Sequence, residues 1–179
     1  MYTPREDSFL IQKHIKEFCT QNSFVLDMGT GSGILALEAS KYSKTVIACD
    51  IDAETISNLK KTPNLPQNIS IIQSDLFSKI PKTSKFDLII FNPPYIPTNK
   101  KETRFLDLDG GKNGTEIIER FLKDAKQFLK TNGKILLLTS SLNKNVTKLF
   151  NNYHYTYLPL DKQKFAFEEL WVWVLDPQF

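Results

Sequence analysis

Short apolar segments alternate along this chain with segments of helical period, and that alternation limits the fold more than any other feature. FVLDM (Phe24 to Met28), TVIACD (Thr45 to Asp50), ISIIQ (Ile69 to Gln73), FDLIIF (Phe86 to Phe91) and KILLLT (Lys134 to Thr139) have the length and bias of buried strands. ILALEASKY, AETISNLKK and NVTKLFNNY read as helices. TEIIERFLKDAKQFLKTNG reads as the strongest helix, with Ile117, Ile118, Phe121, Leu122, Ala125, Phe128 and Leu129 on one face and Gly133 as its C-terminal cap. A further helix opens at TPRE, where Thr3 can cap, Pro4 suits the first turn and Glu6 completes a capping box. Its apolar stripe, Phe9, Ile11, Ile15 and Phe18, runs to about Cys19.

Strands that alternate with helices imply right-handed crossovers and a mostly parallel sheet. The last two strands, YTYLPL and ELWVWVL, are separated only by DKQKFAFE, too short for a helical crossover, so they form an antiparallel hairpin. The expectation is a doubly wound α/β fold. Its seven-stranded, mostly parallel sheet ends in an antiparallel hairpin, all within one domain spanning residues 1–179. Several function classes are set aside on composition. The net charge of +3 is too small to argue for nucleic acid by itself. No stretch approaches the ~20 apolar residues of a membrane span, and MYTPREDSF has no apolar signal region, so a cytoplasmic location is expected. Cys19 and Cys49 lie far apart and read as reduced thiols, and with His14 and His154 as the two histidines no metal site is expected.

In a doubly wound sheet the ligand sits at the carboxyl ends of the strands. Asp27, GTGSG, Asp50, Asp75 and NPPY all fall there. Gly29, Gly31 and Gly33 make a strand-to-helix turn that lets backbone approach a ligand. Asp50 can accept both hydroxyls of a ribose, Asp75 can meet an adenine amino group, and Asp27 can hold an ammonium. No P-loop lysine or arginine cluster offers to hold a pyrophosphate. The set suits S-adenosylmethionine better than NAD or ATP.

FNPPYIP (Phe91 to Pro97) ends a buried strand with an amide, two prolines and a ring. An amide or aryl nitrogen attacks a methyl sulfonium only when its delocalised lone pair is aimed in line. The Asn92 side-chain carbonyl and the Pro93 backbone carbonyl can each take one hydrogen of an NH2 group. Pro93 and Pro94 hold the corner rigid, and Tyr95 offers a flat face to a planar amide or base. Glutamine, adenine and guanine all fit this arrangement. The stretch from Ile96 to Gly114 is long for a plain connection and reads as a mobile flap over the acceptor groove.

VLDMGTGSG, ACDID, SDLF and FNPPY resemble the successive motifs of the HemK-like, amino-methylating class I S-adenosylmethionine methyltransferases. YTPREDSFL resembles the opening segment of the release-factor glutamine methyltransferases, and DGGKNGTEIIERFL their Gly-Gly-x-x-Gly segment. The resemblance implies that Asp27, Gly29 and Gly31 line the methionine end of the cofactor, Asp50 holds the ribose, Asp75 and Leu76 frame the adenine, and Ser8 closes over it. Asn92, Pro93 and Tyr95 would be catalytic and, with Pro94, would contact the substrate, and Asn92 would also contact the cofactor. LDLD (Leu106 to Asp109) departs from the aromatic residue expected before the double glycine. The short form resembles the archaeal and eukaryotic branch. That implies the glutamine of the Gly-Gly-Gln motif in a class I translation termination factor as substrate, and a small zinc-binding activator protein paired along edge strand 69–73. A nucleic-acid N6-adenine methyltransferase and a non-catalytic cofactor-binding scaffold stay open beside it.

Overall fold

The computed structural model describes residues 6–96 and 113–178. Among them the chain runs α1 (Glu6–Gln12), a 3-10 turn (Ile15–Phe18), β1 (Phe24–Met28), α2 (Ile34–Ser40), β2 (Thr45–Asp50), α3 (Ala53–Lys60), β3 (Ile69–Gln73), β4 (Phe86–Phe91), α4 (Glu116–Ala125), a second 3-10 turn (Lys126–Phe128), β5 (Leu129–Ser140), α5 (Val146–Asn152), β6 (Tyr155–Lys164) and β7 (Glu169–Pro177). The strands make one seven-stranded sheet in the order β3-β2-β1-β4-β5-β7-β6. The first five pair in parallel, and β7 runs antiparallel to both β5 and β6. The expected mostly parallel sheet and its closing hairpin are therefore present. Strand order reverses between β1 and β4, where Met28 lies opposite Phe91. That reversal opens a crevice above the two strand ends.

Successive strand residues face opposite sides, and both faces are apolar. Leu26, Ile89, Phe91, Ile135 and Leu137 pack with α4 and α5 on one side. Val25, Leu88, Ile90, Leu136 and Leu138 pack with α1 and α2 on the other. Such double burial explains the near-continuous apolar runs of β4 and β5.

Three expectations need correction. The long helix does not reach Gly133. It ends at Ala125, and β5 begins at Leu129. The apolar period continues through Phe128 and Leu129, but Phe128 stacks on Phe77 with ring centroids 4.5 Å apart, and Leu129 pairs with Phe86. Gly133 instead lets strands approach, since a Cβ there would stand 2.6 Å from the Phe86 carbonyl oxygen. Gly133→Ala is therefore expected to destabilise the fold by roughly 1–3 kcal/mol. Thermal unfolding checks this, with a loss of several degrees expected.

The first helix is short. It stops at Gln12 and yields to the 3-10 turn, and Phe9 is 53% exposed while Leu10, Ile11 and Ile15 are buried. Thr3 and Pro4, with the cap read there, lie outside the described residues, as does nearly all of the flap read between Ile96 and Gly114. The hairpin is longer than YTYLPL suggested. Its polar DKQK continues β6, and a register shift between Pro159 and Asp161 accommodates the proline on the outer strand.

Candidate active site

The crevice at the reversal point is a cleft of about 640 Å³, within the usual range for small-ligand sites. Its floor begins with the glycine turn. Gly29, Gly31 and Gly33 have φ of +66°, +51° and +81°. The φ at Gly31 brings its N–H to the Asp50 carboxylate, Oδ2 at 2.9 Å. The Asp50 Oδ1 accepts from the Asp52 N–H at 3.0 Å. These two backbone donors help to fix the carboxylate at the end of β2.

Asp27 lies elsewhere than expected. Strand alternation puts its side chain on the Val25 face, beneath the turn and the start of α2, and not on the cleft wall. It is fully buried. The Oδ2 accepts from the Thr30 hydroxyl at 2.6 Å and from the Ala36 N–H at 3.0 Å. Ala36 is in the first turn of α2, where backbone N–H groups have no helical partner. Asp27 Oδ1 has no partner among the described residues. Burial pushes the carboxyl up to about 7, against the opposing pull of the Thr30 and Ala36 hydrogen bonds.

The far wall comes from the turn after β3. Leu76 has φ +45°, a left-handed conformation that costs a leucine about 1–2 kcal/mol. Ser74 holds it there. Its hydroxyl donates to the Leu76 carbonyl at 2.8 Å and accepts from the Lys79 N–H at 2.9 Å. The strained turn places Asp75 and Leu76 on the cleft. Arg120 of α4 reaches across to Asp75 at 2.8 Å, and Arg120 and Ile117 complete that wall.

The opposite rim is the NPPY segment. Asn92, Pro93, Pro94 and Tyr95 all line the cleft, as does Ser8 of α1. Asn92 Nδ2 donates to Asp7 Oδ2 at 3.1 Å. Its carbonyl oxygen Oδ1 is buried and has no partner among the described residues. A buried amide oxygen left unpaired costs about 1–3 kcal/mol, so such an atom invites a functional explanation. Tyr95 donates its hydroxyl to Asp7 Oδ2 at 3.4 Å, and its carbonyl accepts from Asn143 Nδ2 at 2.7 Å.

One cleft thus gathers the glycine turn, an anchored carboxylate at the end of β2 and an amide with a free oxygen at the end of β4. The family model of the methyltransferase small domain matches residues 7–167, nearly all of that framework. The chain belongs to the methyltransferase small domain family. Similar to this methyltransferase is a putative protein N5-glutamine methyltransferase of Methanocaldococcus jannaschii, 38% identical over 148 residues that cover 79% of this chain and 73% of that one. A release factor glutamine methyltransferase of Rhodopirellula baltica is 36% identical over 142 residues, 69% of this chain and 47% of its own length. The methyltransferase thus matches about half of that bacterial relative. Among solved structures, the E. cuniculi Mtq2–Trm112 complex, responsible for methylation of the eRF1 translation termination factor, has a TM-score of 0.78 at 26% identity. That match covers 99% of this chain and 98% of the other.

Three residues that the sequence did not single out make contacts at the cleft. Asp7 stands beside Ser8 but was hidden in a charged run. Arg120 sits on a helix read only for its apolar face. Asn143 follows β5, and its place at the carboxyl end of a central strand was the available signal. Its Oδ1 accepts from the Ser140 N–H at 2.8 Å, and its Nδ2 donates to the carbonyls of both Tyr95 and Gly114 at 2.7 Å.

Proposed function

We propose that this chain is an S-adenosylmethionine-dependent N-methyltransferase whose acceptor is the side-chain amide of the glutamine in the Gly-Gly-Gln motif of a class I translation termination factor. The observation that carries the reading is the buried, unpartnered Asn92 Oδ1 on the rim of the cleft. The M. jannaschii and R. baltica relatives, by their names, support glutamine as the acceptor. The E. cuniculi complex supports the termination factor.

The cleft fits the cofactor by the chemistry of its donors and acceptors. Asp50 and Asp75 offer carboxylates to hydroxyl and amino groups, Leu76, Ile51 and Ile117 offer apolar walls, and Gly29 and Gly31 expose backbone. When bound, the cofactor supplies an electrophilic methyl group. Asp50 would hold the ribose hydroxyls, while Asp75 and Leu76 would frame the adenine and Ser8 would close over it. Gly29 and Gly31 would line the methionine end, with Asp27 bracing their turn from beneath. Asn92 Oδ1 and the Pro93 carbonyl would each accept a hydrogen from the acceptor NH2, aiming its lone pair, and the Tyr95 ring would support the planar amide together with Pro94. No strong base is required, because transfer neutralises a positive charge and positioning supplies the rate.

The test offers tritiated S-adenosylmethionine to purified termination factor, to its Gln→Asn variant, to DNA and to RNA. Label in the unmodified factor alone is expected. Label in nucleic acid would replace this reading with an adenine methyltransferase.

The same reading extends to a partner. β3 is the outer strand on its side of the sheet. Among its residues Ile71 and Ile72 are only partly buried, and the neighbouring Ile51 is 60% exposed. An unpaired strand edge beside apolar surface favours strand addition. The E. cuniculi structure is itself a complex of two proteins. A small zinc-binding activator protein would hydrogen-bond along Ile69–Gln73. Ile71→Pro removes a ladder donor and is expected to abolish co-purification with the activator. A proline variant that still co-purifies with full activity would end the edge-pairing idea. We place the work of this single domain, residues 1–179, in the cytoplasm, a setting that suits its two free thiols.

A further inference from the structure

The mechanism above leaves one buried carboxylate without a task. Asp7 of α1 is 4% exposed and lies 85 residues from Asn92 in sequence. Donors from its own helix and from the NPPY segment converge on it. The Ser8 N–H reaches Oδ1 at 2.7 Å, while Asn92 Nδ2 and the Tyr95 hydroxyl reach Oδ2 at 3.1 and 3.4 Å. A primary amide is nearly symmetric in shape, so packing alone hardly chooses between its two orientations. A carboxylate does choose, because it accepts and has no hydrogen to give. The edge of the Asn92 amide turned toward Asp7 is therefore NH2, and the opposite edge is the buried, unpartnered Oδ1. The reversed amide would set its carbonyl oxygen against the Asp7 carboxylate oxygen, two acceptors with no hydrogen between them.

We propose that Asp7 is a positioning residue that fixes the orientation of the Asn92 amide, so that the rim of the cleft accepts hydrogens and selects a primary amide or amine as the nucleophile. Through the same oxygen it steadies the hydroxyl end of Tyr95. Asp7 acts on the reaction through these two side chains. The proposal rests on the reading of Asn92 as the hydrogen acceptor.

The test compares Asp7→Ala, Asp7→Asn, Asn92→Ala and the double alanine variant. Turnover is followed with tritiated S-adenosylmethionine and termination factor, and cofactor affinity by calorimetry. Asp7→Ala is expected to lower kcat about a hundredfold with the KM for the cofactor unchanged. Asp7→Asn, which retains an acceptor oxygen, restores part of that loss. The double variant loses no more than Asn92→Ala alone, as expected for residues acting as a unit. An active Asp7→Ala enzyme beside an inactive Asn92→Ala enzyme overturns the proposal alone. So does a double-variant loss equal to the product of the two single losses. An active Asn92→Ala enzyme overturns the acceptor reading and this proposal together. A further measurement needs no acceptor molecule. Hydrogen exchange of the Asn92 side-chain amide, followed by NMR and assigned by its loss in Asn92→Ala, is expected to quicken in both Asp7 variants. Exchange at the wild-type rate in the near-isosteric Asp7→Asn protein, should the alanine variant not fold, overturns the tie.

Discussion

Replacing Asn92 with alanine is expected to abolish methyl transfer while the cofactor still binds. The loss should be at least about 10²- to 10³-fold in kcat, the scale on which removal of a preorganised polar group slows an enzyme. The geometry separates the two effects. Asn92 sits on the rim formed by NPPY, whereas the anchored Asp50 carboxylate and the SDLF turn stand at the ends of β2 and β3. Truncation removes the Oδ1 acceptor and leaves the glycine turn and its hydrogen bonds untouched. Calorimetry and single-turnover transfer on the same preparation check both halves. Turnover surviving within about tenfold, roughly 1.4 kcal/mol, would remove Asn92 from the role of orienting the nucleophile.

Asp50→Ala is the second large effect, and it falls on binding. Two charge-assisted hydrogen bonds to the ribose would be lost, and the Gly31 and Asp52 N–H groups would lose their acceptor. Together these amount to about 2–4 kcal/mol, or about 30- to 1000-fold in the dissociation constant for S-adenosylmethionine. Calorimetry decides it. Unchanged affinity would remove the ribose assignment, because no compensating acceptor would then be needed at the end of β2.

How well the sequence announced each part follows from the range of the forces involved. β1, β2 and β4 were legible because two buried faces demand continuous apolar runs, and the hairpin because its connection is too short for a helix. The end of α4 was not legible. Leu129 keeps helical phase, and only Phe77 and Phe86, some fifty and forty residues away, draw Phe128 and Leu129 out of it. Phe9 fitted a stripe by spacing, but the helix breaks at Gln12 before that stripe is complete. The glycine turn, Asp50 and NPPY stood out because strand ends mark the site. Asp27 shared that position, yet pleat alternation turned it under α2. Asp7 and Asn143 were silent because their partners, Asn92 and Gly114, are distant in sequence.

Asn143 has a consequence of another kind. One side-chain nitrogen grips the carbonyls of Tyr95 and Gly114, the two stations between which the chain leaves and re-enters the catalytic corner. With departure and return fixed to a single point on the end of β5, whatever lies between them is free to change in length or composition without moving Asn92. Closure entropy grows only slowly with length, by about 0.6 kcal/mol for each doubling. Such a junction lets evolution, or an engineer, exchange the intervening sequence as a cassette while the corner beside it stays in register.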